Sequence, residues 1–132
     1  MTADERQVLE ANAAFYAAFE RNDVEAMDAL WARETPVACL HPGWEPLVGR
    51  EAVLTSWRRI LQGGGAPPEI RCERASAHVS GDAAWVLCAE IVPGGELAAT
   101  NLFIRERGVW RMVHHHASPL PPPERQPAGF RN

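Results

Sequence analysis

The run Gly63-Gly64-Gly65-Ala66-Pro67-Pro68 constrains this chain more than any other feature, because three glycines followed closely by two prolines end any regular element and separate two different hydrophobic periods. Before it, apolar residues recur at helical spacing; after it, they alternate. Thr2-Ala3-Asp4-Glu5 has the spacing of a capping box, and Val8, Ala11, Phe15, Ala18 and Phe19 follow at helical intervals, so a first helix is expected to run to about Arg21. Asn22-Asp23-Val24-Glu25 repeats the capping logic, with Asn22 as the cap of a shorter helix carrying Val24, Met27 and Trp31. Pro36 forbids continuation, Val37-Ala38-Cys39-Leu40 reads as a brief strand ended by His41-Pro42-Gly43, and Gly49 precedes a third helix on which Val53, Trp57, Ile60 and Leu61 share a face.

Beyond the break, residues 70–79, 84–92, 97–106 and 109–118 read as four long strands of an antiparallel meander, with Arg107-Gly108 as a tight hairpin turn. That turn places Glu106 opposite Val109, Phe103 opposite Met112 and Asn101 opposite His114. One sheet face then carries Asn101, Phe103, Trp110, Met112, His114, His116 and Ser118, and the other Thr100, Leu102, Ile104, Val113 and His115. The first is expected to face inward, with Trp110 and Met112 on the helices and the polar groups towards an open end. Three helices followed by four strands give an α+β fold over residues 1–118, and the proline-rich segment 119–132 is expected to be an extended tail.

The 13 basic residues are all arginine, against 17 acidic ones, for a net charge of −4. Such a chain has no basic stripe for phosphates, so nucleic acid is not an expected partner, and without lysine it has no Schiff-base chemistry on that side chain. No apolar run approaches the roughly 18 residues of a membrane span and the N-terminus is acidic, which points away from the membrane to a cytoplasmic protein. Cys39, Cys72 and Cys88 lack the spacing of a disulfide framework or a Cys-x-x-Cys site and read as reduced core thiols.

The order of these elements, with residues 15–23 (FYAAFERND), His41-Pro42-Gly43, residues 48–52 (VGREA) and residues 110–118 (WRMVHHHAS), resembles the SnoaL-like branch of the nuclear transport factor 2-like superfamily over roughly residues 5–119. The resemblance implies a cone of three helices on a curved antiparallel sheet, a pocket between them, and a homodimer formed through the sheet. It does not fix an activity, since the superfamily includes isomerases, cyclases, dehydratases and proteins without chemistry. Where ketosteroid-isomerase-like members carry an oxyanion-binding tyrosine this chain has Phe15, with Tyr16 about 100° further round the helix. Near the position of their catalytic aspartate it offers Cys39 or His41, so that mechanism does not carry over, and Glu90 is a weak counterpart of the acidic residue of SnoaL-type cyclases.

Within that frame the candidate pocket comprises Trp31, Cys39, Trp44, Trp57, Asn101, Phe103, Met112 and His114, with His41 and His116 as candidate general bases and Asn101 to orient one of them or a carbonyl. The expected ligand is a small hydrophobic molecule, with no cofactor. Trp44 follows His41-Pro42-Gly43 in a loop and could rim the pocket, whereas Trp31 and Trp57 read as core. Two further arrangements are open at this level: a Cys39–His41 nucleophile pair, set against a buried inert thiol, and a zinc site of His114, His116 and His41. Glu90, if buried, needs a partner such as Arg71 or His114 and is the best candidate for a perturbed carboxylate. The functional alternative is a non-catalytic homodimeric interaction module.

Overall fold

A computed structural model describes residues 1–63 and 65–122. In chain order it contains α1 (Ala3–Glu20), α2 (Val24–Leu30), β1 (Ala38–Leu40), β2 (Leu47–Val48), α3 (Arg50–Leu61), β3 (Arg71–Ser80), β4 (Ala83–Val92), β5 (Gly95–Glu106) and β6 (Val109–Pro119). The α+β division at the glycine-proline break is as expected. Thr2 accepts from the Glu5 N–H and Glu5 from the Thr2 N–H, a complete capping box at the start of α1.

The α1–α2 junction corrects the expected cap. Asn22 adopts φ 54° and ends α1: its N–H reaches the Phe19 carbonyl and that of Asp23 the Ala18 carbonyl, a Schellman turn. Asp23 then caps α2, accepting from the Ala26 N–H at 3.0 Å. Two elements share one tight turn, so the left-handed residue goes to the first helix and the capping carboxylate to the second.

The sheet is six-stranded in the order β2-β1-β6-β5-β4-β3. The expected meander is present, and the short β1 joins it by pairing parallel to β6, while β2 pairs antiparallel to β1. The sheet is therefore not wholly antiparallel. Pro119 belongs to β6 opposite Leu97, and Leu120 still donates to the Glu96 carbonyl; the remainder of the proposed tail, 123–132, lies outside the described residues.

One register shift decides which residues meet the helices. Phe103 pairs with Met112 as expected, but Leu102 pairs with His114, so Val113 is an extra residue in β6. Because side chains alternate with period two, one inserted residue exchanges the faces of everything beyond it. Asn101 therefore faces His115, not His114. Trp110, Met112, His115 and Ala117 are buried, whereas His116 and Ser118 are exposed and His114 is half-buried on the outer face, where its Nδ1 lies 3.0 Å from the Ala38 carbonyl across the β1–β6 junction. The expected inward placement of His114, His116 and Ser118 is thus reversed by one residue.

The core lies between α1, α3 and the inner sheet face, where Phe15 meets Tyr16, Phe19 and Trp57 edge to face at centroid distances of 4.9, 6.2 and 5.3 Å. Arg50, the first residue of α3, reaches back to the end of α2, donating to the carbonyls of Asp28, Trp31 and Ala32. At the far end of the β5–β6 hairpin, Glu106 accepts from the backbone N–H groups of Arg33, Glu34 and Thr35 and from the Thr35 hydroxyl. This fixes the segment leading into β1. Replacing Glu106 with Ala should lower the unfolding free energy by about 1–2 kcal/mol, since three backbone donors lose a charged acceptor, while Glu34→Gln, which removes only the exposed pair with Arg107, should leave the urea midpoint unchanged.

Candidate functional site

Four elements bring a set of polar side chains into the apolar interior. Residues 12, 15 and 16 of α1 lie over the inner sheet face and carry Asn12, Phe15 and Tyr16. The inward positions of β4, β5 and β6 supply Cys88 and Glu90, Asn101, and His115. Tyr16, Glu90, Asn101 and His115 are each no more than 4% exposed.

Their hydrogen bonds run in one direction. The Tyr16 hydroxyl donates to Glu90 Oε2 at 2.7 Å, so its oxygen accepts from Asn101 Nδ2, at 3.2 Å. Asn101 Nδ2 also donates to Asn12 Oδ1 at 2.8 Å, which turns Asn101 Oδ1 towards His115 Nδ1, 2.6 Å away. The Nδ1 of His115 must therefore carry the ring proton, and Nε2 is left as an acceptor. That nitrogen lies 3.8 Å from Glu90 Oε2, too far for a hydrogen bond. The four residues form a ring open at one place, between a carboxyl group and the lone pair of an imidazole.

Burial controls the protonation of this ring. It pushes His115 down from 6.5 to about 3, with the neighbouring histidines His41, His114 and His116 acting in the same direction. Burial pushes Glu90 up, opposed by the Tyr16 hydroxyl, and raises Tyr16, whose ionisation the carboxylate also opposes. Phe15 and Trp57 pack on the His115 ring at 4.9 and 5.9 Å, so no water shell compensates a charge there.

A second group lies on the other side of Trp57. His41, 5% exposed, is held between Trp44 and Trp57, each 4.8 Å away. Its Nε2 is 2.8 Å from Ser56 Oγ, and the Ser56 hydroxyl donates to the Val53 carbonyl at 2.6 Å; the single hydroxyl proton is thus engaged, and His41 Nε2–H is the donor to serine. Burial brings His41 down to about 4 and the Cys39 thiol, 3.8 Å away, up to about 12. A neutral imidazole beside a protonated thiol is not an activated nucleophile pair. Outside His41, Trp44, Leu47, Val48, Ser56 and Arg59 line an open groove of about 510 Å³.

Of the residues singled out in the sequence, Trp31, Cys39, Trp57, Phe103 and Met112 are core, His41 and Asn101 are buried polar groups, and Trp44 is 43% exposed above the groove. His114 and His116 stand together on the outer face, and no cluster of three metal-ligating side chains occurs among the described residues. Glu90 is buried, but its partners are Tyr16 and His115, not Arg71 or His114. Sequence reasoning missed His115, assigned to the wrong face by the extra residue, and Asn12 and Tyr16, whose i, i+4 spacing on the inward stripe of α1 was the available signal.

A family model described as a SnoaL-like domain matches residues 8–122. The chain is similar to a Streptomyces avermitilis protein proposed to be a dehydratase of the nuclear transport factor 2-like family, at 36% identity over 90% of this chain and 97% of that one, with a TM-score of 0.81. It is also similar, at 38% identity over 84% of this chain and 93% of the other and a TM-score of 0.72, to a Thiobacillus denitrificans structure named for a calcium/calmodulin-dependent protein kinase type II association domain. An Arabidopsis thaliana F-box protein, SKIP8, is 30% identical over 121 residues, covering 88% of this chain; the chain spans about half of that relative's length.

The buried groups set opposite pH trends. Neutral His41 and His115 stabilise fully above their ordinary value of 6.5, and that contribution is lost as pH falls towards about 4 and about 3, because the unfolded chain binds the protons first. At about 1.4 kcal/mol per pKa unit, His41 alone accounts for on the order of 3 kcal/mol. Glu90, with its raised value, acts in the opposite sense: its penalty grows as pH rises above 4.5. Urea midpoints should fall steeply from pH 6.5 to 4, and Glu90→Gln should be more stable than the wild type at pH 8 and lose that advantage at pH 4.

Proposed function

Because this chain belongs to the SnoaL-like domain family, we propose that it binds a small, mostly apolar molecule and moves a proton on it with the ring of Tyr16, Glu90, Asn101 and His115, in isomerase-, cyclase- or lyase-type chemistry. The observation that carries this reading is the buried carboxyl group of Glu90 facing the free Nε2 of His115 at 3.8 Å. Both are held by uncharged partners in an apolar interior. A core serving stability alone gains more from apolar residues of that size, and groups whose surroundings drive their pKa values apart are a mark of acid–base sites.

The roles follow from the hydrogen bonds. His115, held as its Nδ1–H tautomer by the positioning residue Asn101, takes a proton from carbon at Nε2. Glu90 in its neutral form gives its proton to the oxygen on which negative charge develops or which leaves, and Tyr16 steadies the carboxylate that results. The proton on His115 returns to Glu90 or to product, closing the cycle. The role expected of His116 thus passes to its neighbour. Trp31, Phe103 and Met112 provide apolar wall, and the groove beneath Trp44 offers an entrance past His41, from which Trp57 separates the ring. The ring is sealed from solvent in this conformation, so entry displaces aromatic side chains packed on it. The similarity to a protein proposed to be a dehydratase supports the lyase-type variant.

A second reading has its own observation. Trp85 and Leu87 are 38% and 44% exposed on the outer sheet face, Trp85 stacked on His78, and this apolar surface suits a homodimer formed through the sheet. The similarity to a structure named for an association domain favours it as well. A dimer is compatible with a site inside each subunit; an interaction module without chemistry is the rival.

A thermal-shift panel of enones, β-hydroxy ketones and polyketide-like aromatics, followed by deuterium exchange at the carbon next to the carbonyl of each stabilising compound, separates the two. A compound at about 100 times its dissociation constant adds roughly 2.7 kcal/mol. Exchange should fall about 100-fold or more in His115→Gln and Glu90→Gln with binding kept within about tenfold. Absence of both stabilisation and exchange, with a dimer that Leu87→Arg converts to monomer, would leave only the interaction module.

A further inference from the structure

Cys72 and Cys88 were expected to be reduced core thiols, and the fold brings them onto one inward face of the β3–β4 ladder. Cys72 pairs with Glu90 across the β3–β4 ladder, which makes Cys88, two residues earlier on β4, its diagonal neighbour on the same inward face. Both sulfurs lie under one stretch of α1: Asn12 Nδ2 donates to Cys72 Sγ at 3.5 Å, and Tyr16, one turn further on, lies against Cys88. Cys88 Sγ is 3.4 Å from the Tyr16 hydroxyl.

We propose that Cys72 and Cys88 are an oxidative modification site, converted by a hydroperoxide into an intramolecular disulfide on the wall of the interior site. The geometry supplies what such a bond needs. Diagonal neighbours lie about 7–8 Å apart, just beyond disulfide range, so the bond requires the backbone of the two strands to approach. Directly opposite Cys88, β3 carries a bulge in which Arg74 and Ala75 face a single residue, with Arg74 at φ 56°, and this irregular stretch lets β3 shift without breaking the ladder on either side. Cys72 is half-buried and gives a small peroxide a path to the buried Cys88 beside it, while Cys39 is fully buried.

The chemistry balances with the peroxide as oxidant. The Cys88 thiolate attacks the terminal oxygen of the hydroperoxide, the O–O bond breaks, and the alcohol or water leaves with a proton, giving a sulfenic acid. The Cys72 sulfur then attacks the Cys88 sulfur; the S–O bond breaks, and the departing hydroxide takes the Cys72 proton as water. Two thiols and one hydroperoxide become one disulfide, one alcohol and one water. The neighbouring Cys72 thiol holds the Cys88 thiol below its ordinary value, in keeping with its role as attacking sulfur. A bridge here draws Cys88 away from the Tyr16 hydroxyl, which holds Glu90, so oxidation changes the support of the ring. The bond itself does not depend on the proton-transfer reading.

Fully reduced protein treated with a small excess of hydrogen peroxide should lose about 2 Da and, once unfolded and alkylated, show one alkylatable thiol where the reduced chain has three. Proteolysis should yield a peptide linking positions 72 and 88, reversed by phosphine reductant, and Cys72→Ser should stop at a Cys88 sulfenic acid trapped by dimedone. Three free thiols after peroxide, a disulfide between chains, or sulfinic and sulfonic acids without a cross-link would each overturn the proposal. The wild-type measurement stands alone should the variant fail to fold.

Discussion

A single extra residue in β6 determines what the interior of this protein contains. Val113 stands between the Met112–Phe103 and His114–Leu102 pairs, and the insertion turns His115 and Ala117 towards the helices while His114 and His116 go outside. With an unbroken ladder the inner face would have presented His114 and His116, and Asn101 would have faced His114 in place of His115. On the other edge of β6, residues 114–116 receive β1 in parallel, and β1 carries the chain into the loop from which His41 points inward. The interior ring and the exposed histidine pair thus follow from one irregularity.

The ring sits where apolar packing is otherwise dense. Phe15 and Trp57 close on His115 from two sides, and the energetic cost of burying four polar groups is limited only because each satisfies the next. Direction matters as much as number: the acceptor at Glu90 orders the Tyr16 hydroxyl, that hydroxyl orders the Asn101 amide, and the amide chooses the tautomer of His115. A long-range hydrogen-bond chain therefore positions one lone pair. Trp57 stands between this lone pair and the second imidazole, His41, which is neutral for the same reason of burial but whose Nε2 is engaged with Ser56.

Much of this was legible in the sequence. The glycine-proline break, the capping box at Thr2 and the hairpin at Arg107-Gly108 are local signals, and each governs an element found where it was expected. The cap of α2 moved from Asn22 to Asp23 because two helices compete for one turn, and local pattern does not say which helix takes the left-handed residue. The pairing of β1 with β6 is a contact between distant segments and leaves no local trace. The bulge was the costliest omission: three consecutive histidines look alike on either face, so nothing in residues 110–118 marks where the alternation slips. Tyr16 was discounted for its angle from Phe15, yet an α1 stripe facing a curved sheet is wide enough to bury both.

Nitrogen-15 NMR of His115 tests the central claim most directly, because it reads tautomer and charge at the one atom on which the site depends. His115 should stay neutral from pH 8 to pH 4, with Nδ1 protonated and Nε2 showing the shift of an unprotonated imidazole nitrogen. A ring protonated at Nε2 with Nδ1 bare would contradict the directed hydrogen bonds and the proton-transfer role derived from them, and one that titrates near its ordinary value of 6.5 would contradict its burial against Phe15 and Trp57.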